Sequence, residues 1–105
     1  MSEVTLESVE QAIDALRKLG EQDFEVYKTA RLKEGMVKRT HALEAKKSNQ
    51  QSVAQRQLDA YASDKHEEAL NEDAIAYANK HVHEHAIDLN KTIISVWQSK
   101  VKDRS

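Results

Sequence analysis

The sequence predicts an all-α fold, an antiparallel hairpin of two long helices with a short connecting helix, forming a dimeric helical bundle. Three observations predict it. The 105 residues include no Pro, two Gly and 32% charged residues, a composition that suits helices and disfavours turns. Apolar residues recur at helical spacing in two long stretches. One short polar segment separates those stretches. We expect a single helical domain, residues 1–105, with helices at about 5–47, 53–62 and 64–102.

The first helix begins at a capping sequence and then follows a seven-residue apolar repeat. Ser8 and Gln11 fit a capping box, and Thr5 is the alternative cap. The predicted seam is Leu6, Val9, Ile13, Leu16, Gly20, Tyr27, Ala30 and Val37. A second apolar stripe is Phe24, Leu32, Met36 and Leu43. Gly20 either breaks the helix or lies inside a continuous one, and continuity is favoured because helical composition resumes at Glu21.

Turn-like composition marks Lys46–Gln51, which is the predicted end of the first helix. Ser52 and Gln55 then form a capping box that opens the short helix. A further cap signal near Ser63 and Asp64, with Glu67 three residues past Asp64, predicts the start of the third helix. The predicted seam of the third helix is Leu70, Ala74, Tyr77, Val82, Ala86, Leu89, Ile93 and Val96, with Trp97 beside it. Two long thin helices cover their apolar stripes poorly, so we expect a two-fold dimer.

Charge is distributed in blocks that favour the antiparallel hairpin. Residues 1–27 carry seven acids and two bases, and residues 28–47 carry seven bases and two acids. Residues 48–74 carry six acids and two bases, and residues 75–105 carry five bases and three acids. Folding back near residue 50 places blocks of opposite charge side by side. Each exposed pair contributes a few tenths of a kcal/mol, and together they favour one orientation.

Several classes of site lack the residues that they require. The chain has no Cys, which excludes disulfides, thiol nucleophiles and thiolate metal sites. Two isolated glycines cannot form a phosphate-binding loop, and no pair of carboxylates is marked for acid–base work. We therefore predict no enzyme activity and no cofactor. No apolar run approaches the roughly 18 residues of a membrane span, so we expect a cytoplasmic protein without a membrane partner.

A histidine cluster offers the only metal-binding pattern in the sequence. His81 and His85 are four residues apart and share a helix face, so they could grip a divalent metal together. A zinc site requires three or four ligands, and His83 points to a different face. The favoured interpretation is a polar helix face with titratable histidines, and a metal site at His81 and His85 is the alternative.

Basic residues are concentrated at the end of the first helix. The candidate residues for binding nucleic acid or a partner are Lys28, Arg31, Lys38, Arg39, Lys46, Lys47 and Arg56. Phosphate binding requires such cations on one accessible side, but on a helical wheel these residues do not make one tight row. The favoured interpretation pairs them across the hairpin with the acidic residues of 64–73. Arg56 is interpreted as a clamp that fixes the turn.

Aromatic residues are few, and they lie at helical spacing. The candidates for core or interface positions are Tyr27, Tyr61, Tyr77 and Trp97. Aromatic residues on a helical seam usually belong to a core, and anchoring a partner is their other common role.

A resemblance covers roughly residues 48–100. The stretch Ser52-Val53-Ala54-Gln55-Arg56-Gln57, the step Ala60-Tyr61-Ala62-Ser63 and the closing Ile94-Ser95-Val96-Trp97 resemble a pattern of small helical proteins from tailed phages and prophages. Those proteins have acids where this chain has Gln55 and Gln57, and an aromatic residue where it has His66. The resemblance implies phage origin, sometimes near genes of DNA replication or recombination, and implies no active site.

These observations predict a non-enzymatic phage accessory protein that works by binding a protein partner. Its setting would be DNA replication or recombination, or inhibition of a host protein. The alternatives are a nucleic-acid-binding module that uses the basic face of residues 28–47 and a structural component of virion assembly.

Overall fold

A computed structural model describes residues 4–104, which form three helices. They are α1 (Leu6–Lys47), α2 (Val53–Tyr61) and α3 (Asp64–Arg104), so the all-helical prediction is confirmed. Each bound lies within two residues of the predicted one. Helix α1 runs without a break through Gly20, where a Cβ atom would meet nothing within 4 Å. Gly20 therefore serves neither as a helix end nor as a point of close approach to another helix of this chain.

Short polar side chains begin the helices, as the cap signals indicate. The cap of α1 is Thr5, whose Oγ1 accepts from the Ser8 amide at 3.2 Å, so the alternative cap of the sequence analysis is the correct one. Ser52 caps α2 by accepting from the Gln55 amide at 3.4 Å. Ser63 precedes α3, and its Oγ accepts from the His66 amide at 3.1 Å. These bonds satisfy amide groups that a helix start leaves without partners.

The chain divides into two compact units. The terminal unit contains Met1–Glu25 and His81–Ser105, and the turn unit contains Val26–Lys80. Each unit therefore pairs one part of α1 with one part of α3.

In the terminal unit, the buried apolar residues are small. Val9 and Ala12 are buried, and so is the polar His83. The His83 Nε2 is hydrogen-bonded to the Asp23 carboxylate of α1. Near the chain ends, Lys100 Nζ donates to the Val4 carbonyl at 3.4 Å. These two contacts join α3 to α1 and to Val4, which lies just before α1, and they follow an antiparallel path.

The turn unit is held by alanines, an aromatic cluster and polar bonds. Ala60, Ala69 and Ala76 are its buried apolar residues, together with His66. Rings from all three helices meet in a cluster of His41, Tyr61 and His66, with centroids 4.4 to 5.4 Å apart. Two further bonds close the unit. Ser48 Oγ donates to Asp59 at 2.6 Å, and Lys33 Nζ pairs with Glu72 at 3.0 Å.

The predicted seams were partly wrong, because the inward faces are set by small and polar residues. On α1 the seam is right at Val9, Leu16, Ala30 and Val37, which are buried or half-buried, and wrong at Leu6, Ile13, Gly20 and Tyr27, which are exposed. On α3 the inward line is Ala69, Asp73, Ala76, Lys80, His83, Ile87, Asn90, Ile94 and Trp97. The predicted seam residues Leu70, Tyr77, Val82, Leu89 and Val96 are 45 to 69% exposed. Alanines let two helices approach closely, and the larger apolar side chains are left outside.

Candidate interaction surfaces

The first candidate surface is the basic face of α1 in the turn unit. We define the basic face as Lys28, Arg31, Lys38, Arg39 and Lys46, all exposed. Since α1 is continuous there, at 100° per residue these five side chains fall within about 100° of arc and about 27 Å of helix. The two acids of this segment, Glu34 and Glu44, lie outside that arc. The cations are thus all accessible on one side of α1, spread over an arc that is wider than a single tight row.

Few of these cations form the ion pairs that were expected. Arg31, Lys38, Arg39 and Lys46 have no ion-pair partner within residues 4–104. The cross-hairpin pair to the acidic segment is made by Lys33, which is not on the basic face. The expected neutralisation across the hairpin is therefore wrong for these four residues, and their charge remains available to an anion.

The other two basic candidates, Lys47 and Arg56, have local partners. Lys47 Nζ lies 3.5 Å from the Glu44 carboxylate on the same helix. Arg56 Nε donates to the Gln50 carbonyl oxygen at 2.5 Å. This bond closes the segment between α1 and α2, so Arg56 does fasten the turn, through a backbone carbonyl instead of an acidic side chain.

Two of the four aromatic candidates share a groove in the turn unit. Tyr27 and Tyr77 line a groove of about 450 Å³ together with Ala30, Arg31, Glu34, Asp73 and Lys80. Lys80 Nζ lies over the Tyr27 ring, 5.7 Å from its centroid. The lining carries both signs of charge around two aromatic rings, which suits a polar and aromatic protein surface. Tyr61 packs with His41 and His66 and is 64% exposed, whereas Trp97 is half-buried.

The second candidate surface lies on α3 in the terminal unit and carries no carboxylate, ammonium or guanidinium group. We define the uncharged face as Val82, His85, Ala86, Leu89, Ile93 and Val96. These residues fall within about 100° of arc and about 21 Å of helix. The charged residues of this stretch, Glu84, Asp88 and Lys91, all lie on the other sides of α3. Val82, Leu89 and Val96 are 69%, 62% and 46% exposed.

The structure places the three neighbouring histidines His81, His83 and His85 in different surroundings. His81 and His85 are both exposed on α3. Within residues 4–104, no group of three or more His, Cys, Asp or Glu side chains could hold a metal ion. The buried histidine of the cluster is His83, and its partner is Asp23.

Sequence reasoning missed the Asp23–His83 pair, and it assigned five of the six residues of the uncharged face to the seam of the hairpin instead of to an outer surface. A signal for the pair existed, because Asp23 is seven residues after Leu16 and seven before Ala30 on the inward line of α1. A signal for the uncharged face also existed, since no charged residue occupies its helical positions between Val82 and Val96.

Ion pairs within one helix add a local electrostatic effect in the terminal unit. Asp14 lies 3.1 Å from Lys18 Nζ and also bonds Arg17. The hydrogen bond and the charge of Lys18 lower the pKa of the Asp14 carboxyl below 3.8, with a further contribution from Arg17. The Asp14 side chain is 44% exposed, and its ion pairs bear on helix stability, not on chemistry.

No helix within residues 4–104 is both long and apolar enough to cross a membrane. Comparison of the chain with family models, curated proteins and solved structures found no match.

Proposed function

We propose that this chain is a non-enzymatic accessory protein that acts by binding other proteins and that assembles as a homodimer. The imbalance between buried and exposed apolar residues carries the proposal. Within residues 4–104, the buried apolar residues are Val9 and four alanines, while 17 large apolar side chains are exposed. A single exposed apolar residue is ordinary, but contiguous rows of them mark protein interaction sites. Here the rows follow helix faces, as in helix-to-helix recognition.

The resemblance of residues 48–100 to small helical phage proteins supplies a setting for this proposal. We place the protein in the host cytoplasm, as an accessory factor in DNA replication or recombination or as an inhibitor of a host protein. The groove with Tyr27 and Tyr77 suits a partner, because tyrosines are enriched where interfaces concentrate binding energy.

Light scattering coupled to size exclusion tests this function, with and without single- and double-stranded DNA at low and moderate salt. A dimer whose mass is unchanged by DNA is the expected result. A monomer at micromolar concentration would contradict the homodimer. Higher-order assemblies would favour the virion component instead.

A second candidate function is binding of nucleic acid, and the basic face favours it. Four of its cations have no ion-pair partner within residues 4–104. A phosphate could therefore bind these four cations without breaking an existing ion pair. Five phosphate contacts to duplex DNA predict a slope of log K against log salt of about −4.5. Fluorescence anisotropy of labelled DNA at several salt concentrations measures that slope. Binding that salt does not weaken would argue against this surface.

A further inference from the structure

The uncharged face presents apolar side chains that α1 does not cover. Its central residue, Leu89, is 62% exposed, and Val82 and Val96 lie seven residues to either side. Spacing by seven keeps these three side chains in one row along the helix. Ala86 and Ile93 lie beside the row and are half-buried. An apolar row of this form is what a second helix packs against.

The exposed area indicates how much surface a partner should cover. The chain exposes 8251 Å², whereas a compact monomer of 12.0 kDa exposes about 6,000 Å². The excess is about 2,200 Å². One protomer of an obligate homodimer buries about 1,000 to 2,500 Å². The excess falls within that range, so a second copy of this chain is large enough to cover it, and a second copy is a partner that is always present where the chain is made.

The charge pattern also suits a second copy. A two-fold interface brings a face against itself, so any net charge on that face would meet the same charge. Because 32% of the residues are charged, most faces of this chain would bring like charges together in a two-fold dimer, and that repulsion disfavours self-association. The uncharged face avoids this repulsion, because Glu84, Asp88 and Lys91 all lie on other sides of α3.

Thr92, a polar residue at the edge of this face, is already satisfied. Thr92 adjoins the row, and its Oγ1 donates to the Asp88 carbonyl of the same helix at 2.8 Å. A hydroxyl bonded within its own helix loses little when water is removed. The Thr92 hydroxyl can therefore be covered by a partner at a small cost in free energy.

From these observations we infer that the uncharged face of α3 is the surface on which two copies of this chain pack. This inference rests on the proposed homodimer and names its interface. Leu89 lies at the centre of the contact and meets the same face of the second copy. Because each substitution occurs twice in a homodimer, a change at Leu89 alters the free energy of dimerisation through both copies.

Sedimentation equilibrium of wild-type protein, Leu89→Glu and Leu58→Glu tests the inference. Leu58 on α2 is a matched control, because it is 60% exposed, against 62% for Leu89. We expect Leu89→Glu to weaken dimerisation at least about 100-fold, since two leucines leave the interface and two carboxylates enter it. Leu58→Glu should dimerise like the wild type. Circular dichroism verifies that both variants remain helical.

The outcomes separate this inference from the proposed homodimer. A monomeric wild type contradicts both. If wild type and Leu89→Glu are equally dimeric, the inference about the uncharged face is wrong and the homodimer stands. The same conclusion follows if Leu58→Glu dissociates as much as Leu89→Glu. Cross-linking gives a second measurement, which does not require the protein to fold with a glutamate at position 89. The chain has no Cys, so under oxidation Leu89→Cys should form a disulfide-linked dimer and Leu58→Cys should not.

Discussion

The two compact units are built from the same helices but differ in what holds them and in what they expose. In the terminal unit, Val9 and Ala12 are the buried apolar residues, joined by the pair of Asp23 with the buried His83. The turn unit adds a third helix, a cluster of aromatic rings and several polar bonds around the chain reversal.

The outer surfaces differ as much as the interiors. The turn unit presents the basic face of α1, and the terminal unit presents the uncharged face of α3. Both faces span about 100° of helix arc, yet one is suited to anions and the other to an apolar helix. The comparison teaches that a simple helical pair can carry two separate recognition chemistries, because each helix has a side that the other does not cover.

The largest expected effect separates two polar contacts between α1 and α3, Asp23 with His83 in the terminal unit and Lys33 with Glu72 in the turn unit. Asp23→Ala removes the acceptor of a His83 side chain that is 4% exposed, and should lower the free energy of unfolding by about 1–3 kcal/mol. Lys33→Met breaks a pair whose side chains are 38% and 46% exposed, and should cost less than about 1 kcal/mol. Urea denaturation of both variants measures the difference. Equal costs would show that burial does not distinguish the two pairs.

The basic face should act independently of the uncharged face. Where DNA binds, as the second candidate function proposes, Lys38→Gln combined with Arg39→Gln should weaken that binding about tenfold and reduce the steepness of the salt slope by about two. The oligomeric mass should not change. Anisotropy and light scattering on the same samples provide both readings. Lys18→Gln with Lys91→Gln is the matched control, since these cations lie in the terminal unit. If the control variant lost as much affinity, the basic face would not be the binding site.

The turn should lose stability when its clamp is removed. Arg56→Ala deletes the hydrogen bond to the Gln50 carbonyl and should lower stability by about 1 kcal/mol. Differential scanning calorimetry detects this as a lower Tm. An unchanged Tm together with lost partner binding would instead make Arg56 a recognition residue.

The two glycines of α1 should give similar, smaller effects in the two units. At Gly20 and at Gly35, an added Cβ would meet nothing within 4 Å. Substitution by alanine should therefore raise stability by about 0.5–1 kcal/mol at each position, through helix propensity and reduced freedom of the unfolded chain. Thermal unfolding of the single variants tests this. Destabilisation at either position would mean that a partner helix approaches α1 there.

The smallest effect concerns the ion pairs of Asp14. Its pKa is lowered chiefly by the hydrogen bond and charge of Lys18, so the carboxylate contributes stability above the unfolded value of 3.8. That contribution is lost as the pH falls through the lower pKa of the folded state. Asp14→Asn should thus have a slightly lower Tm than the wild type at pH 7 and the same Tm at pH 2. A difference that persists at pH 2 would exclude ionisation as its cause.

Local features of the fold, such as the helix starts, could be predicted from the sequence more fully than contacts between distant residues. The helix starts follow from short-range capping, as at Ser52, whose Oγ is reached by an amide three residues later. The alternative at Thr5 was harder, because two hydroxyl residues three apart can both serve as caps, and their mutual bonds favour Thr5. The cations of the basic face and the continuous helix that carries them were predicted from the sequence, while the absence of ion-pair partners for four of them within residues 4–104 depends on the tertiary structure.

By itself, the sequence determined the helices and their order, because propensity, capping and turn composition act over a few neighbouring residues. The tertiary structure decided which sides of α1 and α3 face each other. That choice depends on contacts such as Asp23 with His83, 60 residues apart, and Lys33 with Glu72, 39 apart. It also depends on alanines that permit close approach, so large apolar side chains such as Leu89 lie outside despite a spacing typical of a core.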